Sequence, residues 1–357
     1  MPDLSAQIKQ LARDHGFDLA GVAGVGTHPE LANFAPWIDA GHHGDMTYLA
    51  ARNEQGELKR ESLEYAAPWA RSVIVCAVNY NSSAPRSTHA GSTREGWIAR
   101  YAQGEHDYHD VLLPRLRQLE ADIAKLAPPE PRFRSWCYVD TGPVVERVYA
   151  KYAGIGWIGK NTCILNEKLG SWIFLGVILT NLALQPDLPA ADRCGSCTRC
   201  LDACPTHALL GPHQLDATRC IAYLTIEKRG TIPEDLRADM GRHIFGCDIC
   251  QDVCPWNRKA PAGPLTELQP KPERINPALD WLAEMDLESY RNLVRKGPLQ
   301  RAKWPEWKRN LAIAIGNSGD EALLESARRL ANDPDPMVAE HGQWAVEHLS
   351  RLSSKND

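Results

Sequence analysis

The chain reads as an α+β multidomain protein: an N-terminal α/β domain, a ferredoxin-like two-cluster domain and a C-terminal HEAT-like α-helical domain. Three observations predict this. Strand-like and helix-like runs are mixed through residues 1–185. Eight of the 11 cysteines fall between Cys194 and Cys254. Residues 275–352 carry helical patterns interrupted by Gly316, Gly319 and the Asp-Pro-Asp-Pro run from Asp333 to Pro336. A chain of 357 residues is also too long for one small core.

The elements follow in order. Leu4, Ile8, Leu11 and Ala12 stand at helical spacing. Ser72 to Tyr80 is rich in β-branched residues and reads as a buried strand. Asp107 to Leu126 has helical apolar spacing and stops before Pro128-Pro129. Phe133 to Val139 reads as a strand, Val144 to Ala153 as a helix closed by Gly154, and Trp172 to Thr180 as a strand. Such mixing makes residues 1–185 an α/β or α+β domain, with Pro186 and Pro189 at its boundary. The cysteine-rich domain covers 186–262, and the Pro-rich stretch from Pro261 to Pro277 reads as a linker. Helices are expected at 304–315, 321–331 and 337–349; they suit one and a half HEAT-type units, or a small three-helix cap.

Composition narrows the class. The chain is 43% hydrophobic and 24% charged with net charge −5, as expected of a soluble globular protein. No apolar run approaches the roughly 20 residues of a membrane span. The first residues lack the basic and apolar regions of a secretory signal, so a cytoplasmic location is expected. Cysteines in that compartment point to metal or redox chemistry rather than disulfides. No long exposed apolar stripe demands a partner subunit, so a monomer is expected.

Cys194, Cys197, Cys200 and Cys204 form C-x2-C-x2-C-x3-C followed by Pro205, the bacterial ferredoxin spacing. Cys247, Cys250 and Cys254 form C-x2-C-x3-C followed by Pro255, and Cys220 stands between the groups. In such runs the fourth cysteine reaches the other cluster. That rule assigns Cys194, Cys197, Cys200 and Cys254 to one [4Fe–4S] cluster and Cys204, Cys220, Cys247 and Cys250 to a second. Paired zinc sites are the alternative, but zinc hooks are usually two separated C-x2-C pairs. Ile221 to Gly246 is then an insertion within the cluster domain. Cys76, Cys137 and Cys163 lie on or near predicted core strands and read as small buried hydrophobes.

Two one-electron centres need a terminal acceptor, and the N-terminal domain is its natural place. Asp140 begins Asp-Thr-Gly-Pro between a strand and a helix; it suits either a pocket acid or a helix cap. Gly156 to Thr162 is a glycine-flanked loop carrying Lys160, and its spacing is not that of a nucleotide P-loop. His42, His43, His106 and His109 form no metal-ligand pattern and read as solvated or turn residues. Between Arg291 and Arg309 lie seven basic residues and one acid, with Trp304 and Trp307 interleaved. That run suits phosphate contacts or a solvated helix face over buried tryptophans.

Four longer motifs carry a resemblance: Cys220 to Glu227, Gly246 to Asn257, Asp140 to Arg147, and Lys308 to Asn317, together with Gly156 to Thr162. They closely resemble epoxyqueuosine reductases, in family order, over about residues 5–350. The resemblance implies a cobalamin-dependent iron–sulfur oxidoreductase of queuosine biosynthesis. It would reduce the epoxide of epoxyqueuosine at the tRNA wobble position to the cyclopentene of queuosine. It implies cobalamin without a protein histidine on cobalt, consistent with Asp107-Tyr108-His109 lacking the glycine of the D-x-H-x-x-G motif. An external electron donor of unknown identity and a tRNA carrying epoxyqueuosine are the implied partners.

By that match Asp140 is the proton donor and part of the cobalamin pocket, which Arg60, Gly159, Lys160, Asn161 and Thr162 also line. The donor role requires Asp140 to carry its proton, which desolvation favours. Arg295, Lys296, Arg301, Lys303, Lys308 and Arg309 become expected tRNA contacts. Two departures touch these roles: Arg60 is followed by Glu-Ser-Leu where the family often has x-Asp-Pro, and the loop from Tyr101 to His109 is one residue longer. A corrinoid reductase of a small molecule and a plain iron–sulfur electron carrier are the competing functions.

Overall fold

The computed structural model describes residues 3–86, 89 and 91–353. Helix α1 (Leu4–Asp14) starts where the Asp3 carboxylate accepts the Ser5 N–H. Strands β1 (Leu19–Gly24) and β2 (Ser72–Asn79) follow, then helix α2 (Tyr108–Leu126), strand β3 (Ser135–Tyr138), helix α3 (Glu146–Tyr152) and strand β4 (Ile173–Thr180).

The four strands form one sheet in the order β1-β2-β4-β3, and every neighbouring pair is antiparallel. The N-terminal half is therefore α+β; the α/β alternative is corrected, since periodicity does not carry strand direction. Ile74, Cys76 and Val78 pack with Ile8 of α1 and Leu112, Leu116 and Leu119 of α2. Val73, Val75 and Ala77 face the other way, onto Tyr149 and Ala150 of α3. Burial on both faces explains why β2 is apolar at almost every position. A Cβ at Gly21 of β1 would lie 1.9 Å from the Ala153 carbonyl, so this glycine lets the end of α3 sit on the sheet.

The C-terminal half contains α4 (Leu287–Val294), α5 (Trp304–Gly316), α6 (Leu324–Ala331) and α7 (Pro336–Ser353). Its core is shared. Ile98 and Ala102 from the N-terminal half and Ile226, Ile244 and Phe245 from the insertion join Leu311, Ile315 and Leu330. A short parallel pairing of Trp97–Ile98 with His243–Phe245 stitches the same seam. The Pro-rich stretch is no free linker: Leu268 is buried beside the sheet, and Gly263 donates to the Asn81 carbonyl. Among the described residues no helix is long and apolar enough to cross a membrane.

Two expected phosphate contacts fall at this seam and are corrected. Arg309 is fully buried, and its guanidinium donates to the carbonyls of Leu224, Lys228 and Gly230. Lys308 is mostly covered and its Nζ lies 2.5 Å from Asp333 Oδ2. Helical periodicity placed them near a basic face; packing turned them inward.

Candidate functional site

The thiols of the cysteine-rich segment fall into neighbourhoods. Cys200 lies within electrostatic reach of Cys194 and Cys197, and Cys254 within reach of Cys194 and Cys200. Cys247 has Cys220 and Cys204 for neighbours, and Cys250 has Cys247 and Cys220. Short helices Arg199–Asp202 and Ile249–Asp252 carry one cysteine each and turn the chain back at Pro205 and Pro255. Among the described residues no three His, Cys, Asp or Glu side chains converge at the spacing of a single metal ion. The three remaining cysteines divide. Cys76 is buried in the sheet, and Cys137 donates to Glu120 Oε2 at 3.3 Å. Cys163 is not a plain core residue: its thiol neighbours that of Cys250, one of the second cysteine set.

The glycine-flanked loop lies against this cysteine cage. Lys160 Nζ donates to the carbonyls of Gly195 (2.7 Å) and Cys197 (3.0 Å), and Asn161 Nδ2 donates to that of Cys250 (3.2 Å). Gly159 accepts at its carbonyl from the Thr162 N–H and meets the His213 ring. Thr162 adopts φ 65°, an uncommon conformation for a β-branched residue, with its carbonyl held by Arg147. Lys160 and Asn161 thus have their polar groups committed to the cysteine loops.

Asp140 stands two residues past the end of β3, after Val139, at φ 58°. Asp tolerates this left-handed conformation better than most residues, and such strain gathers at functional sites. Its N–H donates to Glu146 Oε1 at 2.9 Å, and its Oδ2 accepts the Tyr108 hydroxyl at 2.9 Å. Burial, with the Asp140 charge adding, pushes the Glu146 carboxyl up to about 8. Burial and that same charge push the Tyr108 phenol up, so it remains an O–H donor to Asp140.

His109 Nε2 is 4.0 Å from Asp140 Oδ2, while its Nδ1 lies 2.6 Å from Asp107 Oδ1. Burial works to raise the Asp107 carboxyl, but the bonds from His109 outweigh it and hold it below the usual carboxylate range. Arg301 Nη1 reaches within 3.7 Å of Asp140 Oδ2 from the C-terminal half. Arg60 Nη2 donates to the Gly142 carbonyl (2.8 Å) and its Nη1 to that of Tyr48 (2.9 Å). Half of Tyr48 is exposed at this rim.

Tyr108, His109, Glu146 and Tyr48 were missed from the sequence, and His109 is not a solvated turn residue. The available signal was Asp107 as helix cap with Tyr108 and His109 directly after it. The Lys296 carbonyl accepts the Asp107 N–H at 2.6 Å, which carries the basic run to the start of α2 beside His109. There Arg295, Lys296 and Lys303 are exposed and Arg301 is partly so.

Comparison with known proteins gives concordant matches. Residues 193–257 match the 4Fe-4S double cluster binding domain, and residues 60–141 match the family described as "Epoxyqueuosine reductase QueG, DUF1730". The chain is 38% identical over 350 residues to an epoxyqueuosine reductase of Xanthomonas campestris pv. campestris, covering 96% of each. It is 39% identical over 348 residues to one of Pseudomonas aeruginosa, covering 96% of this chain and 94% of the relative. A crystal structure of epoxyqueuosine reductase with a tRNA-Tyr epoxyqueuosine-modified stem loop superimposes with TM-score 0.84 at 31% identity, covering 97% of this chain and 90% of that one.

Proposed function

Since the chain belongs to the epoxyqueuosine reductase family, we propose that it reduces the epoxide of epoxyqueuosine in tRNA to queuosine. The cysteine-rich segment would hold two [4Fe–4S] clusters, which would supply one-electron transfer. The observation that carries the chemistry is the strained Asp140, fastened by Tyr108 and Glu146 at a rim shared with the basic run. We assign 1–185 to a cobalamin-binding catalytic domain, 186–262 to the ferredoxin-like domain and 275–352 to a HEAT-like tRNA-contacting domain, in a monomeric cytoplasmic enzyme.

The donor sets suit these groups. Thiolates are the natural cluster ligands, and the neighbour relations above support Cys194, Cys197, Cys200 and Cys254 for one cluster, with Cys204, Cys220, Cys247 and Cys250 for the other. A corrin needs a broad, partly apolar floor with polar groups at its edge. Half-exposed Tyr48 offers one aromatic face at this edge. The buried His109 Nε2 and Tyr138 Oη have no hydrogen-bond partner among the described residues. Arg60 and Asp140 lie at that rim, while Gly159, Lys160, Asn161 and Thr162 form the loop on the cysteine side. When bound, reduced cobalamin supplies a strong nucleophile or reductant for an oxirane carbon.

The chain's own residues do the rest. Asp140 delivers a proton to the oxygen as the C–O bond opens, Tyr108 orients its carboxyl, and Glu146 holds its backbone in place. Lys160 brings its ammonium to the first cluster loop, and a nearby cation favours the reduced, more negative state of a cluster. Lys160→Gln should therefore lower the midpoint potential of that cluster while iron content stays intact, as read by a redox titration followed by EPR. An unchanged potential would reduce Lys160 to a loop anchor.

Arg295, Lys296, Arg301 and Lys303 are the residues we retain for tRNA phosphates. Replacing Arg295, Lys296 and Lys303 with Gln should weaken binding of epoxyqueuosine-containing tRNA. The log–log salt slope should become shallower by about 0.7–0.9 for each phosphate no longer neutralised. An unaltered slope places the RNA on another face. Conversion of that tRNA by the cobalamin-loaded, reduced protein tests the function itself.

A further inference from the structure

Away from Asp140, the helices Arg199–Asp202 and Ile249–Asp252 wall a surface groove of about 510 Å³. Its walls repeat one pattern, Asp202-Ala203-Cys204-Pro205 and Asp252-Val253-Cys254-Pro255. Ala203 and Val253 line the groove and each precedes a cysteine, one from each set; Arg199, also in the lining, precedes Cys200. The groove therefore gives solvent a route of a few bonds to both clusters.

Its charge is uneven. Arg86 donates to the Asp252 carbonyl at 2.6 Å and lies 3.8 Å from that carboxylate, so those two charges meet each other. Asp202 accepts the Thr198 hydroxyl at 2.8 Å. Arg199 and Arg258 are exposed and make no ion pair among the described residues, and exposed Lys259 follows Arg258. Two guanidiniums without an ion pair among the described residues thus flank a short covalent path to both cysteine sets, in a chain of net charge −5.

We propose that this groove docks an acidic one-electron carrier protein, with carboxylates on Arg199 and Arg258 and its redox centre over Ala203 and Val253. The proposal rests on the reading that the two cysteine sets hold clusters. The balance closes. Each encounter oxidises the carrier by one electron and reduces one cluster by one. Two encounters supply the two electrons that, with two protons, turn an epoxide into an alkene and water. Opposed charges speed such encounters and make them salt-dependent.

The test is anaerobic stopped-flow reduction of the cluster-loaded enzyme by a reduced, acidic flavodoxin, following cluster bleaching. The Arg199→Glu/Arg258→Glu variant should be reduced at least ~10-fold more slowly than wild type at low salt, with a flattened salt dependence. Arg199→Gln/Arg258→Gln should fall between. Dithionite needs no docking face and should reduce all three proteins at similar rates, with tRNA affinity unchanged. Equal flavodoxin rates overturn the proposal. So does a loss shared with dithionite, or a loss of tRNA affinity, which would make the groove an RNA surface. Iron counting and dithionite bleaching separately test whether the clusters are there at all.

Discussion

Replacing Asp140 by Asn should leave clusters, fold and tRNA affinity in place while slowing epoxide reduction about 10²–10⁴-fold, the usual contribution of a positioned general acid. Asn is a suitable probe because it also tolerates the left-handed backbone that Asp140 adopts at φ 58°. Its amide oxygen still accepts the Tyr108 hydroxyl, and its N–H still reaches Glu146. The variant therefore keeps the backbone and these hydrogen bonds while removing the proton available to the opening oxirane, together with the charge that faces Arg301. Single-turnover rates on epoxyqueuosine-containing tRNA, with the cofactor reduced beforehand, isolate that step from electron delivery. A near-wild-type rate would remove Asp140 as the donor and turn attention to Tyr108 and His109.

Arg309→Ala should strongly destabilise the fold, costing about 3–5 kcal/mol. The side chain has no exposed surface, and burial lowers the guanidinium to about 10. What it satisfies is backbone: the carbonyls of Leu224, Lys228 and Gly230 accept from it, at 2.6–3.0 Å. Truncation leaves those acceptors buried and opens a cavity at the seam between α5 and the insertion. Against a typical total stability of about 5–15 kcal/mol, the loss should appear as a lower melting temperature and poor soluble yield. The RNA salt slope of whatever folds should match wild type, unlike that of the Arg295, Lys296 and Lys303 variant. A wild-type melting temperature for Arg309→Ala would contradict this assignment.

Much of the architecture was legible because it is written in short-range spacing. The burial of β2 was visible in Ser72 to Tyr80, and α2 in the helical apolar spacing from Asp107 to Leu126. The direction of the strands was not, because pairing is settled between segments about 100 residues apart, as with Val73 opposite Leu179. The Pro-rich stretch looked like a linker because composition reports chain stiffness and not what the chain packs on; Leu268 is buried.

The cysteine ladder is what the sequence determined by itself. C-x2-C-x2-C-x3-C-P is a covalent ruler, and thiolate chemistry leaves few uses for it. Asp140 was also within reach, as an acid at a strand-to-helix junction. Tertiary structure alone decided which basic residues face solvent: Arg309 and Lys308 turn into the seam, while Arg301 turns towards Asp140. It also decided that Lys160 and Asn161 grip the cysteine loops and that His109 is tied to Asp107. The physical reason is the same in each case. A side chain's charge and hydrogen-bonding capacity belong to its sequence position, but the partner that takes them up comes from whatever segment the fold brings alongside.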